Sequence, residues 1–261
     1  MPPRTGRVLL VGAGPGAADL LTLRAARAIE AADAVLYDAL VEPEVLALAP
    51  RGCLRIQTGK RAGKASLKQG TINRLMLRLA RRGLTVVRLK GGDPSVFGRS
   101  GEETAFLEAH GVLVEIVPGI TAASAAAAQF GFPLTERGQA RRVVFATARV
   151  QEGAVVEGGW TALADPETTT VLYMGRDAAA AVAERLIGEG RSPSTPAVAV
   201  ENAGRPHARI VRARLADLGD KVAAAGFEGP VLLVIGEVTT KAAAAISPSV
   251  GARSVRSRAA M

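Results

Sequence analysis

Three glycine clusters are the residues of this chain best suited to hold a small molecule: Gly12-Ala13-Gly14-Pro15-Gly16, Gly91-Gly92-Asp93-Pro94 and Pro118-Gly119-Ile120-Thr121. Glycine permits positive φ and lets a ligand approach the main chain directly. Gly12, Gly14 and Ala17 also satisfy the dinucleotide pattern G-x-G-x-x-A, and Asp38 follows about twenty residues on, where that pattern expects a ribose-binding acid. A nicotinamide or flavin is nevertheless disfavoured. Pro15 removes a backbone N–H from the turn that would grip a pyrophosphate, and Asp19 as N-cap would start the helix too late. The other two clusters would also be left unused. Metal and thiol chemistry find little support: His110 and His207 stand alone without ligand spacing, and Cys53 has no histidine near it in sequence.

The elements that must carry these clusters follow from hydrophobic periodicity. Short β-branched runs alternate with longer alanine- and leucine-rich stretches, the βαβ pattern of a largely parallel sheet. Strands are predicted at residues 7–11, 34–37, 54–57, 85–89 and 112–117, with helices over 19–32, 67–82 and 101–110. Each glycine cluster then follows a strand, where ligands collect in open α/β sheets. A second series of strands is predicted at 142–146, 169–173, 197–200 and 231–235, with a short antiparallel one near 208–212. Helices over 178–188 and 215–225 separate them. The expected organisation is an N-terminal α/β domain over residues 1–119, a C-terminal α/β domain over 120–246 and a disordered basic tail over 247–261. Each domain is expected to be a mainly parallel sheet flanked by helices, with the active-site cleft between them.

Composition narrows the function classes. The chain has 261 residues, 48% hydrophobic, which is enough for one large or two modest globular domains. Only 3% are aromatic, so base-stacking platforms for nucleic acid are poorly provided for. The net charge of +9 favours encounter with anions, part of it contributed by Arg253, Arg256 and Arg258 in the tail. A lone cysteine, no signal-peptide pattern and no apolar run approaching the ~20 residues of a membrane span lead to the expectation of a cytoplasmic protein that contacts neither membrane nor nucleic acid.

The wording of the motifs carries a resemblance. Val11 to Gly16, with Asp19-Leu20-Leu21-Thr22-Leu23 and Ala34-Val35-Leu36-Tyr37-Asp38 downstream, resembles the opening signature of the tetrapyrrole methylase superfamily. Arg88 to Pro94, continuing through Val96-Phe97-Gly98-Arg99 to Gly101-Glu102-Glu103, is similar to the second signature as uroporphyrinogen-III C-methyltransferases write it. Val117 to Ser124 is similar to the third. The resemblance runs from about Gly6 to Val238.

It implies two α/β domains enclosing S-adenosyl-L-methionine, and methyl transfer to C2 and C7 of uroporphyrinogen III, giving precorrin-2 and S-adenosyl-L-homocysteine. Such a reaction would feed cobalamin, sirohaem or haem d1 synthesis. Carried over by motif, the cofactor-binding residues are Pro15, Gly91, Gly92, Asp93, Val96, Thr121 and Ala122 from the first half. Met174, Ala203 and Val231 join them from the second half. Asp93 would hold the ribose hydroxyls or the amino group, and Met174 would pack on the adenine. Asp38 is the candidate catalytic residue, as a base or a partner for pyrrole N–H groups. Lys60, Arg61 and Arg99 are candidates for the substrate carboxylates. No metal is implied, and a homodimer is.

The chain departs from the pattern at Lys64-Ala65-Ser66, at Glu136 before Arg137 and at Arg176 after Gly175. These positions bear on substrate placement rather than on the cofactor. Two alternatives follow: a related methylase acting on a later precorrin and, remotely, a non-enzymatic anion- or RNA-binding module.

Overall fold

The structure, a computed structural model, describes residues 6–59, 67–147, 150–151, 154–155 and 159–243. Its first half is a five-stranded sheet of β1 (Arg7–Gly12), β2 (Ala34–Tyr37), β3 (Leu54–Gln57), β4 (Thr85–Lys90) and β5 (Leu113–Val117), in the order β3-β2-β4-β1-β5. Every pairing is parallel. Successive side chains of a strand point to opposite faces, so β1 buries Leu9 and Val11 on one side and Val8 and Leu10 on the other. The first face is covered by α1 (Leu23–Glu30) and α2 (Pro43–Ala47) through Ala25, Ile29 and Val45. The second is covered by α3 (Gln69–Ala80) and α4 (Ser100–Glu108), which bring Met76, Leu79 and Leu107. Complete burial of side chains such as Leu10, Ile29 and Leu107 contributes roughly 1.5–3 kcal/mol apiece.

After β5 the chain crosses to a second sheet. Helix α5 (Ala122–Phe130) already belongs there, packing Ala123, Ala126 and Phe130 against Val171, Val198 and Val234. The strands and helices that follow are β6 (Arg142–Thr147), a small ribbon of β7 (Val150–Gln151) and β8 (Ala154–Val155), α6 (Trp160–Ala164), β9 (Thr168–Tyr173), α7 (Ala179–Gly188), β10 (Pro196–Glu201), β11 (Arg209–Arg214), α8 (Leu218–Ala224) and β12 (Val231–Ile235). The sheet order is β11-β10-β12-β9-β6.

This second sheet corrects the expectation of two mainly parallel sheets. Only β6 with β9 is parallel; β9–β12, β12–β10 and β10–β11 are antiparallel. The last strand inserts between β9 and β10 and runs against both. Its five residues are all buried, and a run buried on both faces reads alike in either direction. The antiparallel strand expected near residues 208–212 is present as β11.

One local boundary also moved. The first helix begins at Leu23, not Asp19, because Thr22 is its N-cap: its hydroxyl oxygen accepts from Ala25 N at 3.1 Å. The same hydroxyl donates to the Pro118 carbonyl at 3.2 Å, which ties the helix to the third glycine cluster. Residues 18–20 form a 3₁₀ turn instead, so no long helix starts at the first cluster. Helices α2 and α6, of five residues each, were not expected, being too short to show a helical period. Among the described residues no helix is long and apolar enough to cross a membrane.

Candidate functional site

The order β4-β1-β5 sets three neighbouring parallel strands side by side, and each ends in one of the glycine clusters. Gly14 N donates to Gly92 O at 3.2 Å, Gly92 N to Gly14 O at 2.7 Å, and Ala13 N to Lys90 O at 2.8 Å. Asp93 staples the third cluster to the second. One of its oxygens accepts from Gly119 N at 2.9 Å, the other from Ser95 N at 2.8 Å and from the Ser95 hydroxyl. Asp93 therefore shapes the loops as well as lining the cavity beside them.

Burial pushes the Asp93 carboxyl up, but the bonds from the Ser95 hydroxyl and the Gly119 and Ser95 amides outweigh it and hold the group below its ordinary 3.8. A carboxyl depressed by folding stabilises the protein fully above its unfolded value and loses that contribution as pH falls through the folded one. Asp93→Asn should accordingly flatten the acid limb of stability below about pH 3.8. Urea midpoints of both proteins along an acid pH series check this; parallel acid limbs would refute it.

Facing the glycine loops, the carboxyl ends of β9 and β10 and the start of β12 supply the other wall of a cavity of about 520 Å³. Small-molecule sites commonly span ~300–1,000 Å³. Pro15, Gly91, Gly92, Asp93, Val96, Thr121 and Ala122 line it from the first half, and Met174, Ala203 and Val231 from the second. All ten residues assigned to a cofactor from sequence thus face one space.

Backbone strain concentrates there. Among the described residues four non-glycine residues have left-handed φ, and three of them, Phe97 (53°), Met174 (56°) and Asn202 (54°), line the cavity. Such conformations cost of order 1–3 kcal/mol and persist only where the surroundings enforce them. Phe97 and Met174 are also large apolar side chains left 45% and 67% exposed. An open apolar wall of this kind fits the flat face of a nucleoside base.

Tyr173 joins the halves. Its hydroxyl shares a hydrogen bond with Thr121 Oγ1, and its ring lies 5.2 Å from that of Phe97 and 5.8 Å from that of Phe145. Burial raises the phenol above its ordinary value despite the Thr121 bond, so it serves as a neutral hydrogen-bonding group. Behind the second wall, buried Glu201 accepts from Glu228 N at 2.7 Å and Gly229 N at 2.6 Å, fixing the turn before Val231. Sequence motifs alone assign no role to Tyr173, Phe97 or Glu201. A polar residue ending an otherwise apolar strand was the available signal.

The proposed substrate side is less complete. Asp38 sits beside the cavity rather than in its lining; its oxygens accept from Leu40 N at 3.0 Å and Gly91 N at 3.3 Å. Arg99 is outside the lining as well, its half-exposed guanidinium forked onto Glu102 at 2.8 and 2.6 Å. Lys60 and Arg61 lie outside the described residues.

The family model of the tetrapyrrole (corrin/porphyrin) methylases matches residues 7–219. The chain belongs to this family. As a tetrapyrrole methylase it is 49% identical over 235 residues to a siroheme synthase of Chromobacterium violaceum, an alignment covering 90% of this chain and 50% of that protein. The methylase chain thus spans about half the length of the siroheme synthases it matches. Among solved structures, it is 44% identical to the uroporphyrin-III C-methyl transferase of Thermus thermophilus complexed with S-adenyl homocysteine, with TM-score 0.76, covering 90% of this chain and 99% of that one. A cobalt precorrin-4 methyltransferase is 32% identical with TM-score 0.79, over 88% of this chain and 94% of that one.

Proposed function

We propose that this chain methylates uroporphyrinogen III at C2 and C7 with S-adenosyl-L-methionine, yielding precorrin-2 and S-adenosyl-L-homocysteine. The observation that carries the reading is the convergence of ten residues from distant motifs on a single cavity, in whose lining Phe97, Met174 and Asn202 take left-handed backbone. The Thermus thermophilus relative, solved with S-adenyl homocysteine, supports the same reading.

S-adenosyl-L-methionine would supply a sulfonium-activated methyl group. The chain's own residues supply alignment, the largest lever in such a displacement, worth up to roughly 7–11 kcal/mol in favourable intramolecular cases. Met174 and Val231 pack the nucleoside, and the glycine loops present main-chain groups to it. Asp38, anchored by the Gly91 amide at the edge of the cavity, takes up a proton from the substrate or contacts its pyrrole N–H groups. Lys60, Arg61 and Arg99 pair with the substrate's carboxylates, for which guanidinium forks are well shaped.

The lobes are placed at residues 1–119 and 120–246, with 247–261 as a basic tail; the packing of α5 on the second sheet supports the division. A homodimer is supported by exposed apolar side chains on two edge strands, Leu113 and Ile116 on β5 and Phe145 on β6. Sedimentation at micromolar concentration reads it out, and a monomer would end that part of the reading.

The deciding experiment incubates the protein with uroporphyrinogen III and labelled S-adenosyl-L-methionine and counts methyl groups on the product. Two per tetrapyrrole are expected. No incorporation, with uptake on a later precorrin instead, would favour the second reading, which the likeness to a cobalt precorrin-4 methyltransferase keeps open. Residue roles separate in one paired measurement. Met174→Ala should weaken S-adenosyl-L-homocysteine binding about tenfold, the equivalent of ~1.4 kcal/mol of lost packing. Asp38→Ala should depress turnover far more than cofactor affinity. Calorimetry and steady-state rates check both, and the opposite pattern would exchange the assignments.

A further inference from the structure

Arg205 lines the cavity, and its side chain leaves its own lobe to grip main chain and a carboxylate of the other. It follows β10 in the turn Asn202-Ala203-Gly204-Arg205, where Asn202 and Gly204 both take positive φ. Its backbone is fixed from α5: Gln129 Nε2 donates to Arg205 O at 2.9 Å, and Gly204 N donates to Gln129 Oε1 at 2.8 Å. Gly204 O in turn accepts from Ala17 N in the first lobe at 3.0 Å.

From that base the side chain crosses the cleft. Its stem lies on Gly16, where an added Cβ would come within 2.4 Å of Arg205 Cγ. Nη2 donates to the Leu40 carbonyl at 2.9 Å, and Nε lies 3.1 Å from Glu42 Oε1 as an ion pair whose N–H is not aimed along the contact. Nη1 donates back to Asn202 Oδ1 at 3.2 Å. The Arg205 side chain is only 11% exposed, so this contact is shielded from the screening that weakens surface pairs.

The gripped segment is the turn that begins at Asp38. Leu40 N donates to Asp38 Oδ1, Val41 N donates to Asp38 O at 3.4 Å, and Leu40 itself lines the cavity. Two donors of one guanidinium therefore reach Asn202 on the cofactor wall and the Leu40 carbonyl beside the candidate base, and its charge pairs with Glu42. We propose that Arg205 is a positioning residue that clasps the Asp38–Glu42 turn from the opposite lobe, setting Asp38 against the cavity; the proposal rests on the methyl-transfer reading above. Lysine would keep the charge but cannot span the two acceptors as a planar fork does.

The test uses the full chain with Arg205→Lys and Arg205→Met, and reads amide hydrogen exchange over residues 38–42, S-adenosyl-L-homocysteine affinity, and kcat and KM for uroporphyrinogen III. Both variants are expected to exchange faster in that turn. Their kcat should fall about ten- to a hundredfold, the scale of a small misplacement of reacting groups, while cofactor affinity changes much less. Unchanged exchange and kcat would overturn the proposal, as would a uniform loss of protection across the whole chain with affinity and kcat falling together. If both variants fail to fold, Glu42→Gln decides: faster exchange confined to the same turn, with reduced kcat, supports the clasp, and wild-type behaviour overturns it. Wild-type protein that transfers no methyl group would instead sink the functional reading, leaving the exchange result to speak for the clasp alone.

Discussion

Gly119→Ala is expected to unfold at markedly lower urea concentration than the wild type and to lose at least about tenfold in affinity for S-adenosyl-L-homocysteine, a loss of ~1.4 kcal/mol or more. A Cβ at this position would sit 2.2 Å from Gly92 O and 2.8 Å from Gly12 Cα. Both are backbone atoms, so no side chain can swing aside. Relief would require the loops after β1, β4 and β5 to part, and those loops are bound by the Gly14–Gly92 pair and the Asp93–Gly119 bond. The strands beneath are held in register, Gly12 opposite Lys90 and Val11 opposite Val117, so the strain has nowhere to dissipate. Overpacking costs typically about 1–3 kcal/mol, and a backbone collision belongs at the upper end. Gly101→Ala is the matched control. That residue lies in α4 with open space around its Cβ direction, and the substitution should hold or raise stability by about 0.4–1 kcal/mol. Urea midpoints and calorimetry decide, and a Gly119→Ala protein with wild-type values in both would show that the three loops do not touch as described.

The second large effect is expected at Glu103. Its side chain is fully buried on α4 and faces two buried cations of β4: Lys90 Nζ lies 2.6 Å from one carboxylate oxygen and Arg88 Nε 3.3 Å from the other. Gln69 Nε2 donates to the carboxylate as well, at 2.9 Å. Glu103→Ala would leave Arg88 and Lys90 without their counter-ion in a site water does not reach, a change that costs about 3–5 kcal/mol in buried pairs. Against a total stability of roughly 5–15 kcal/mol, that is a third or more of what holds the fold in a marginal case.

The loss has a pH signature. Burial lowers the Lys90 ammonium from its ordinary 10.5, and Glu103 opposes that shift, so removing Glu103 depresses Lys90 further. Between the lowered folded value and 10.5 the unfolded chain binds more protons than the folded one, and stability rises with pH across that window. The deficit of Glu103→Ala should therefore narrow from neutral pH toward 10.5, partially, since Arg88 stays charged. Urea denaturation across this range checks it, and a constant deficit would exclude Lys90 as the stranded charge. Because Lys90 precedes Gly91-Gly92-Asp93 and α4 opens at Arg99, the same variant should weaken cofactor binding through the loop alone.

Much of this architecture was legible in the residues themselves. The unbroken apolar run Val8, Leu9, Leu10, Val11 marks a strand buried on both faces, and such a strand in a βαβ series is parallel. The glycine clusters mark bare main chain, and at Gly12, Gly92 and Gly119 that main chain meets other main chain. The ten residues assigned to one cofactor do share one cavity. Other features were out of reach. Thr22 and Asp19 are both competent N-caps, and what favours Thr22 is its bond to Pro118, remote in the chain. That Asp93 also ties two loops together was not legible, because nothing local tells that Gly119 N will be its partner.

By itself the sequence determined the quantities that depend on neighbours along the chain: which of the longer segments are strands or helices, where the backbone must be bare, and which family's chemistry the motifs carry. Only the tertiary structure decided that β12 runs antiparallel between β9 and β10, that Asp93 is a staple, and that Arg205 reaches Leu40 across 165 positions. The physical reason is common to all three. Periodicity encodes which face of an element is buried, whereas strand order and direction fix which distant atoms come within hydrogen-bonding distance, and many orders bury the same faces equally well.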